Sequence, residues 1–548
     1  SRCPPLAGGK HPLEYGLPSF QRNSNYWLSQ EVLVRPSLLI LLAMITVSVS
    51  AQTLPRTADG KPDLQGIWRA VNGASYDLED HSARHDMPAG RSVVDGGGIP
   101  YQPWAAEKRQ VNLGSRATAD PLRNCFLPGV PRIMTMEFPF QIFMTPEHIA
   151  ITFEWQQAFR LIYTDGEPAL YPGIESWMGN SRGRWEGDVL VVEVVDHNDQ
   201  TWFDAAGNFH SSSLHVTERY SLRDVNTIDY EATINDPEVF TRPWTMRVEL
   251  NRQTHMDGIL EYQCQAQKEE ANGDFERDEW TWYPAPVPAE NEPFDAEAGG
   301  DLALPTTPPD IPRLEDGTPD ISGFFVADGG GANYGLEQHD GDVLLSPSRG
   351  QVIDPLDRTL PYQAWARAES IDRALPYRGY DDPTAHCFPS GIPRAHYVPA
   401  PFHILQPPGY VVVLHERMSW RRLALDGRNH PPDQIRLWHG HSVGRWEGDT
   451  LVVESQNFNG KAWLNETGDV VSHAQAVVET FTPVSTTQII YRATVSDPIP
   501  YTRPWTIEIP FNRQDQELLE VACLEGNNDL QHLKDVRDEY RARQLEGN

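Results

Sequence analysis

Between positions 409 and 523 the chain is cut into short runs of β-branched and aromatic residues, each closed by turn-forming residues. Many of the runs alternate apolar with polar positions, and a period of two places every second side chain on one face of a strand. The pattern predicts strands at 409–416, 420–425, 435–442, 450–455, 475–482, 488–496, 505–511 and 518–523. Asp426-Gly427 and Glu447-Gly448-Asp449 are read as hairpin turns, with glycine supplying the positive φ; Asp165-Gly166 and Glu186-Gly187-Asp188 repeat the signal earlier in the chain. A helical period takes over at 102–113, 363–374 and 529–543. In the last of these Leu530, Leu533, Val536 and Tyr540 share a face, expected to lie across the strands.

The pattern occurs twice. Gly179-Asn-Ser-Arg-Gly-Arg-Trp-Glu-Gly-Asp188 returns as Gly440-His-Ser-Val-Gly-Arg-Trp-Glu-Gly-Asp449. Asp236-Pro237 with Thr241-Arg-Pro-Trp244 returns as Asp497-Pro498 with Thr502-Arg-Pro-Trp505, and Asp59-Gly-Lys-Pro-Asp63 as Asp316-Gly-Thr-Pro-Asp320. Echoes that keep their order mark a duplicated domain. The division expected is a leader at 1–51, a first repeat at 52–284, a proline-rich acidic linker at 285–311 and a second repeat at 312–548. About eight antiparallel strands per repeat, with few helices, point to an all-β protein of two tandem barrels, because closure removes exposed sheet edges. A β-sandwich is the alternative.

The Gly-Arg-Trp-Glu-Gly-Asp-x-Leu-Val-Val-Glu hairpin and the Asp-Pro…Arg-Pro-Trp-Thr strand resemble a group of secreted bacterial tandem-repeat proteins of undefined function. The Gly-Asp-x-Leu turn is more distantly similar to the calycin or lipocalin-like barrels. That second resemblance implies a cup holding a small, largely apolar molecule.

The 548 residues are enough for two domains with full cores. Acidic residues outnumber basic ones 77 to 45, giving a formal net charge of -32. Such a field repels phosphate backbones, so nucleic acid is not an expected partner. Residues 35–51 read as a secretory signal: Arg35, an apolar run from Leu38 to Val47, then Val49-Ser50-Ala51 as a small-x-small cleavage site. A membrane anchor is the competing reading, but the run is short for a bilayer. The expected location is periplasmic or secreted, with no membrane span after cleavage. Cysteines at matching places in the repeats agree with export, and the pairs expected are Cys125–Cys264 and Cys387–Cys523; four free thiols are the alternative.

Candidate chemistry is sparse. Ser181 and Ser442 sit in G-x-S-x-G, but a strand run follows each instead of the helix that a nucleophile elbow requires. His439 and His441 have no histidine counterparts in the first repeat, which carries Met178 and Asn180 there. On one strand they would share a face and, with His415 or Glu416 nearby, hold a divalent metal; hydrogen-bonded pocket histidines are the plainer reading. His439, His441, Glu416 and Ser442 are therefore the catalytic candidates. Charged residues recur on strands: Arg160 with Arg421, Glu193 with Glu454, and Glu218 with Glu479. They would form structural ion pairs or orient a ligand. Arg160, Glu193, Trp177, Arg421, Glu454, Trp438 and His415 are the candidate ligand-binding residues. No phosphate loop, H-E-x-x-H or C-x-x-C-H occurs. The leading expectation is an exported small-molecule-binding barrel without a cofactor. A His/Glu hydrolase, lyase or isomerase, with or without a metal, and a structural envelope protein are the alternatives.

Overall fold

The structure is a computed structural model that describes residues 54–85, 87–266, 292–298, 302–341 and 345–546. The expected leader, with its signal and anchor readings, and positions 285–291 and 299–301 of the expected linker lie outside the described residues.

Each repeat forms a closed β-barrel. The first consists of β1 (Gly66–Ala70), β2 (Phe140–Met144), β3 (His148–Phe153), β4 (Phe159–Tyr163), β5 (Asn180–Glu186), β6 (Val189–Val195), β7 (His215–Asp224), β8 (Thr227–Asn235) and β9 (Trp244–Arg252). Neighbours in sequence are neighbours in the sheet, and β1 closes against β9. The second barrel repeats this order with β10 (Gly323–Ala327), β12 (Phe402–Leu405), β13 (Tyr410–His415), β14 (Ser419–Ala424), β15 (His441–Glu447), β16 (Thr450–Gln456), β17 (Ala476–Pro483), β18 (Gln488–Ser496) and β19 (Trp505–Gln514). A short extra strand, β11 (Val352–Asp354), lies along β19.

Each barrel therefore has nine strands where about eight were expected. The additional ones, β1, β2, β10 and β12, are five residues or fewer and too short for periodicity to reveal. The strand expected at 435–442 begins only at His441, after Gly440 turns the chain at φ +68°. The one expected at 518–523 pairs with no strand. Neither barrel is wholly antiparallel. Asp165-Gly166 and Asp426-Gly427 are not hairpin turns, since β4 and β5, like β14 and β15, run parallel. A parallel pair needs a long connection, and residues 164–179 and 425–440 supply it.

Both motif serines, Ser181 and Ser442, lie inside β5 and β15, with no helix after them. Their glycines serve packing. A Cβ on Gly179 would stand 2.8 Å from the Val195 carbonyl oxygen, and one on Gly440 2.6 Å from that of Gln456.

The wall of each barrel differs from side to side. β7 and β8 alternate buried with half-exposed positions, as a barrel with one wet face should. In β2, β3 and β4 nearly every residue is buried, because their outer faces meet the other barrel. There Phe143, Ala150, Phe159 and Leu161 pack with Leu405, Val412, Leu414 and Trp420.

Two clasps reinforce this contact, related as in a two-fold interface. After β9 the chain carries Glu261 to the second barrel, where its carboxylate accepts the backbone N–H groups of Trp438 and His439. After β19 Glu520 accepts those of Trp177 and Met178 in the first barrel, at 2.7 and 3.0 Å. Disulfides Cys125–Cys264 and Cys387–Cys523 tie each tail back to its own repeat, with the expected pairing.

Three helices fall where the period placed them, α1 at Pro103–Ala119, α3 at Ala364–Arg373 and α4 at Asp529–Glu546, and α2, a single turn at Arg132–Thr135, was not expected. α4 does not lie across the barrel. Tyr540 stacks at 3.8 Å on Tyr377 of the 3-10 turn Pro376–Asp381.

Candidate functional site

The inward side chains of β4 and β7 meet in a buried ion pair at the centre of the first barrel. Arg160 Nη1 donates to Glu218 Oε1 at 3.0 Å, Nη2 binds the second oxygen, and Nε donates to Ser181 at 2.9 Å. Tyr220 and Tyr230 each donate a hydroxyl to Glu218, at 3.0 and 2.7 Å. β14 and β17 build the same centre in the second barrel. Arg421 binds both oxygens of Glu479, Tyr491 donates to Glu479 at 2.9 Å, and Ser442 and Ser455 accept from Arg421. Burial opposes the charge on Glu479, but Arg421 and His396 outweigh it and hold the carboxyl at about 2. Each pair is saturated with hydrogen bonds, which is the condition for burying two charges.

The second barrel adds three histidines around this centre. Nε2 of His415 lies 3.4 Å from Nδ1 of His396, whose Nε2 is 3.1 Å from Arg421 Nη1. His439 stacks over His415 with ring centroids 5.9 Å apart. Burial is the largest influence on all three and lowers each, His439 to about 3, so the cluster is uncharged at neutral pH. Both ring nitrogens of His439 are buried without a hydrogen-bond partner among the described residues. The first repeat has Met134, Phe153 and Met178 at these positions, all buried in its apolar core.

A second difference lies at the barrel mouth. The chain from Gly323 to Tyr334 is one residue longer than that from Gly66 to Tyr76, and Pro399-Ala400-Pro401 replaces Glu137-Phe138-Pro139. In the first barrel Arg69 donates to the Glu137 carbonyl at 2.6 Å, while Phe138 packs on Trp155 and Tyr262. In the second a cleft of ≈390 Å³ is lined by Val326–Tyr334 and Tyr397–Pro401. Tyr397 follows His396 of the cluster directly in the chain.

The remaining candidates scatter. His441 does not share a face with His439. Gly440 turns the chain between them, and His441 points outward with Nδ1 3.0 Å from Nδ1 of His430. Among the described residues no group of three or more His, Cys, Asp and Glu is placed to hold a metal ion. Ser442 bonds to Arg421 and Ser455, with no histidine or carboxylate partner among the described residues. Glu416, half-buried, accepts the Leu519 N–H at 3.2 Å, as Glu154 accepts that of Leu260, so both anchor a tail. Glu193 and Glu454 face outward and pair with Arg184 and Arg445. Trp177 packs on Phe126, and Trp438 on Phe388; their backbone N–H groups are held by the two clasps. Arg160, Arg421 and His415 do line the barrel centres. The sequence reading missed His396, although its replacement of Met134 is the same signal that singled out His439.

No family model matches the chain, and no curated protein matches it. Among solved structures it is similar to a protein with unknown function from the DUF3598 family of Nostoc punctiforme. The identity is 6%, with 72% of this chain and 98% of that chain covered, and the TM-score is 0.13.

Proposed function

We propose that this is an exported small-molecule-binding protein whose second barrel holds a largely apolar ligand, with one polar end directed at the histidine cluster. The observation that carries the reading is His439. A buried imidazole normally has a partner, and this one has none among the described residues; it lies in a cluster whose His396 directly precedes Tyr397, a residue that lines the mouth cleft. The cleft volume falls in the range of small-molecule sites, and uncharged histidines can both donate and accept hydrogen bonds. Two disulfides agree with an oxidising compartment. The test is mass spectrometry of organic extracts of untagged protein purified from the exported fraction. The expected result is one small molecule near one equivalent per chain. Protein that is fully folded yet carries nothing, and takes up nothing from a lipophilic extract of its source, would refute it.

A further inference from the structure

The parallel strand pair leaves a seam in each barrel, and the two seams are filled differently. β4 meets β5 only at Ile162–Ser181 and Tyr163–Arg182, so on that side the backbone edge at Phe159–Leu161 has no strand beside it. A cleft of ≈110 Å³ opens there, with Arg160 and Ser181 at its floor. Its walls come from both repeats: Tyr163, Tyr171, Ile174 and Met178 from the first, Met418 and Leu519 from the second. At the rim Ile174 is 51% and Leu519 40% exposed. The charges around the cleft are already matched. Arg160 is held by Glu218, Glu517 by Arg182, and Glu520 by two backbone N–H groups. One lining group is not matched: Oδ1 of Asn180, a buried acceptor without a donor among the described residues.

In the second barrel Arg422 stands in the place of Leu161. Its guanidinium reaches Gln141 Oε1 at 2.7 Å and fills the space beside Gly258, where a Cβ would lie 2.0 Å from Nη2. His441, the counterpart of Asn180, is partnered by His430.

We propose that the first-barrel seam is a second binding site, for a small uncharged aromatic molecule carrying one hydrogen-bond donor, as in a phenol, with the tail of the second repeat as part of its wall. A dry cavity of roughly 150 Å³ takes one benzene ring, so this cleft with its open rim matches a single ring. Aromatic and methionine side chains favour such a ring. An O–H donor would satisfy Asn180, whereas a charged ligand would find no free counter-charge among the lining groups.

The test is calorimetric titration of the full chain with p-cresol, with toluene and p-toluate as comparison ligands. The expected result is one p-cresol site per chain, with toluene roughly tenfold weaker because it leaves the acceptor unpaired. Leu161→Arg should abolish binding by reproducing the filled seam. Ile174→Glu, on the exposed rim, should weaken it even if the first variant folds poorly. Replacing the three histidines of the second barrel should leave it unchanged, which separates this site from the one proposed above. Absence of saturable p-cresol binding, unchanged binding in Ile174→Glu, or equal binding of p-toluate would overturn the proposal.

Discussion

The two barrels share a frame and differ in what fills it. Both have the Arg–Glu centre, the parallel seam, the tail clasp and the disulfide. The first fills its centre with Met134, Phe153 and Met178 and closes its mouth with Glu137 and Phe138. The second has three uncharged histidines and an open mouth, and plugs its seam with Arg422. Features present in both halves serve the fold; those present in one are where function should be sought. The ion pair, although the most charged feature of either interior, thus belongs to the architecture.

The most damaging way to break the comparison is to remove one member of an ion pair. Arg421→Met or Glu479→Leu leaves a buried charge alone and should cost about 3–5 kcal/mol in urea unfolding. Arg160→Met or Glu218→Leu should cost as much, and the double replacement in either barrel should recover most of the loss. A large deficit in one barrel alone would show that the centres are not equivalent. Next, replacing Cys125 with Cys264, or Cys387 with Cys523, by alanine should cost about 2–5 kcal/mol. The sequence separations of 139 and 136 predict nearly equal losses.

The clasps come third. Glu261→Ala or Glu520→Ala leaves two buried N–H groups unpaired and should cost about 1–3 kcal/mol, read by hydrogen exchange at Trp438–His439 or Trp177–Met178. The effects of pH have opposite signs in the two places. Burial raises Glu261 and Glu520 to about 7. A carboxyl raised in the folded state contributes stability that is present below its unfolded value and lost as pH rises through 7, so the clasps should loosen between pH 5 and 8. Burial lowers His439 to about 3. Its contribution is present above the unfolded value near 6.5 and lost as pH falls towards 3, so the second interior should weaken on acidification. Hydrogen exchange at pH 5 and 8 separates the two, and Glu261→Gln should flatten only the first.

The strands with long apolar runs or clear alternation, such as Gln488–Ser496, were legible because their periodicity is set by their own faces. The two-barrel architecture was legible too, and with it the cysteine pairing. Contacts between the halves were not. The tail at 518–523 reads as a strand because it is apolar, but it pairs with no strand: Leu518 packs on the cluster between the barrels while Leu519 and Val521 are exposed. The parallel seam was hidden because Asp-Gly is a hairpin signal at short range and says nothing of where the chain pairs after a long loop. His396 shows the limit at the site. Only alignment of the two repeats exposes it, because it lies in a turn with no period to place it.

The sharpest measurement exchanges the interior of the second barrel for that of the first. His396→Met, His415→Phe and His439→Met together install residues that the same frame already accommodates, so the variant should fold. Mass spectrometry of organic extracts should then find the small molecule in the parent protein and none in the variant, with p-cresol binding at the seam intact. Equal recovery of the molecule from both proteins would contradict the assignment of function to the second barrel.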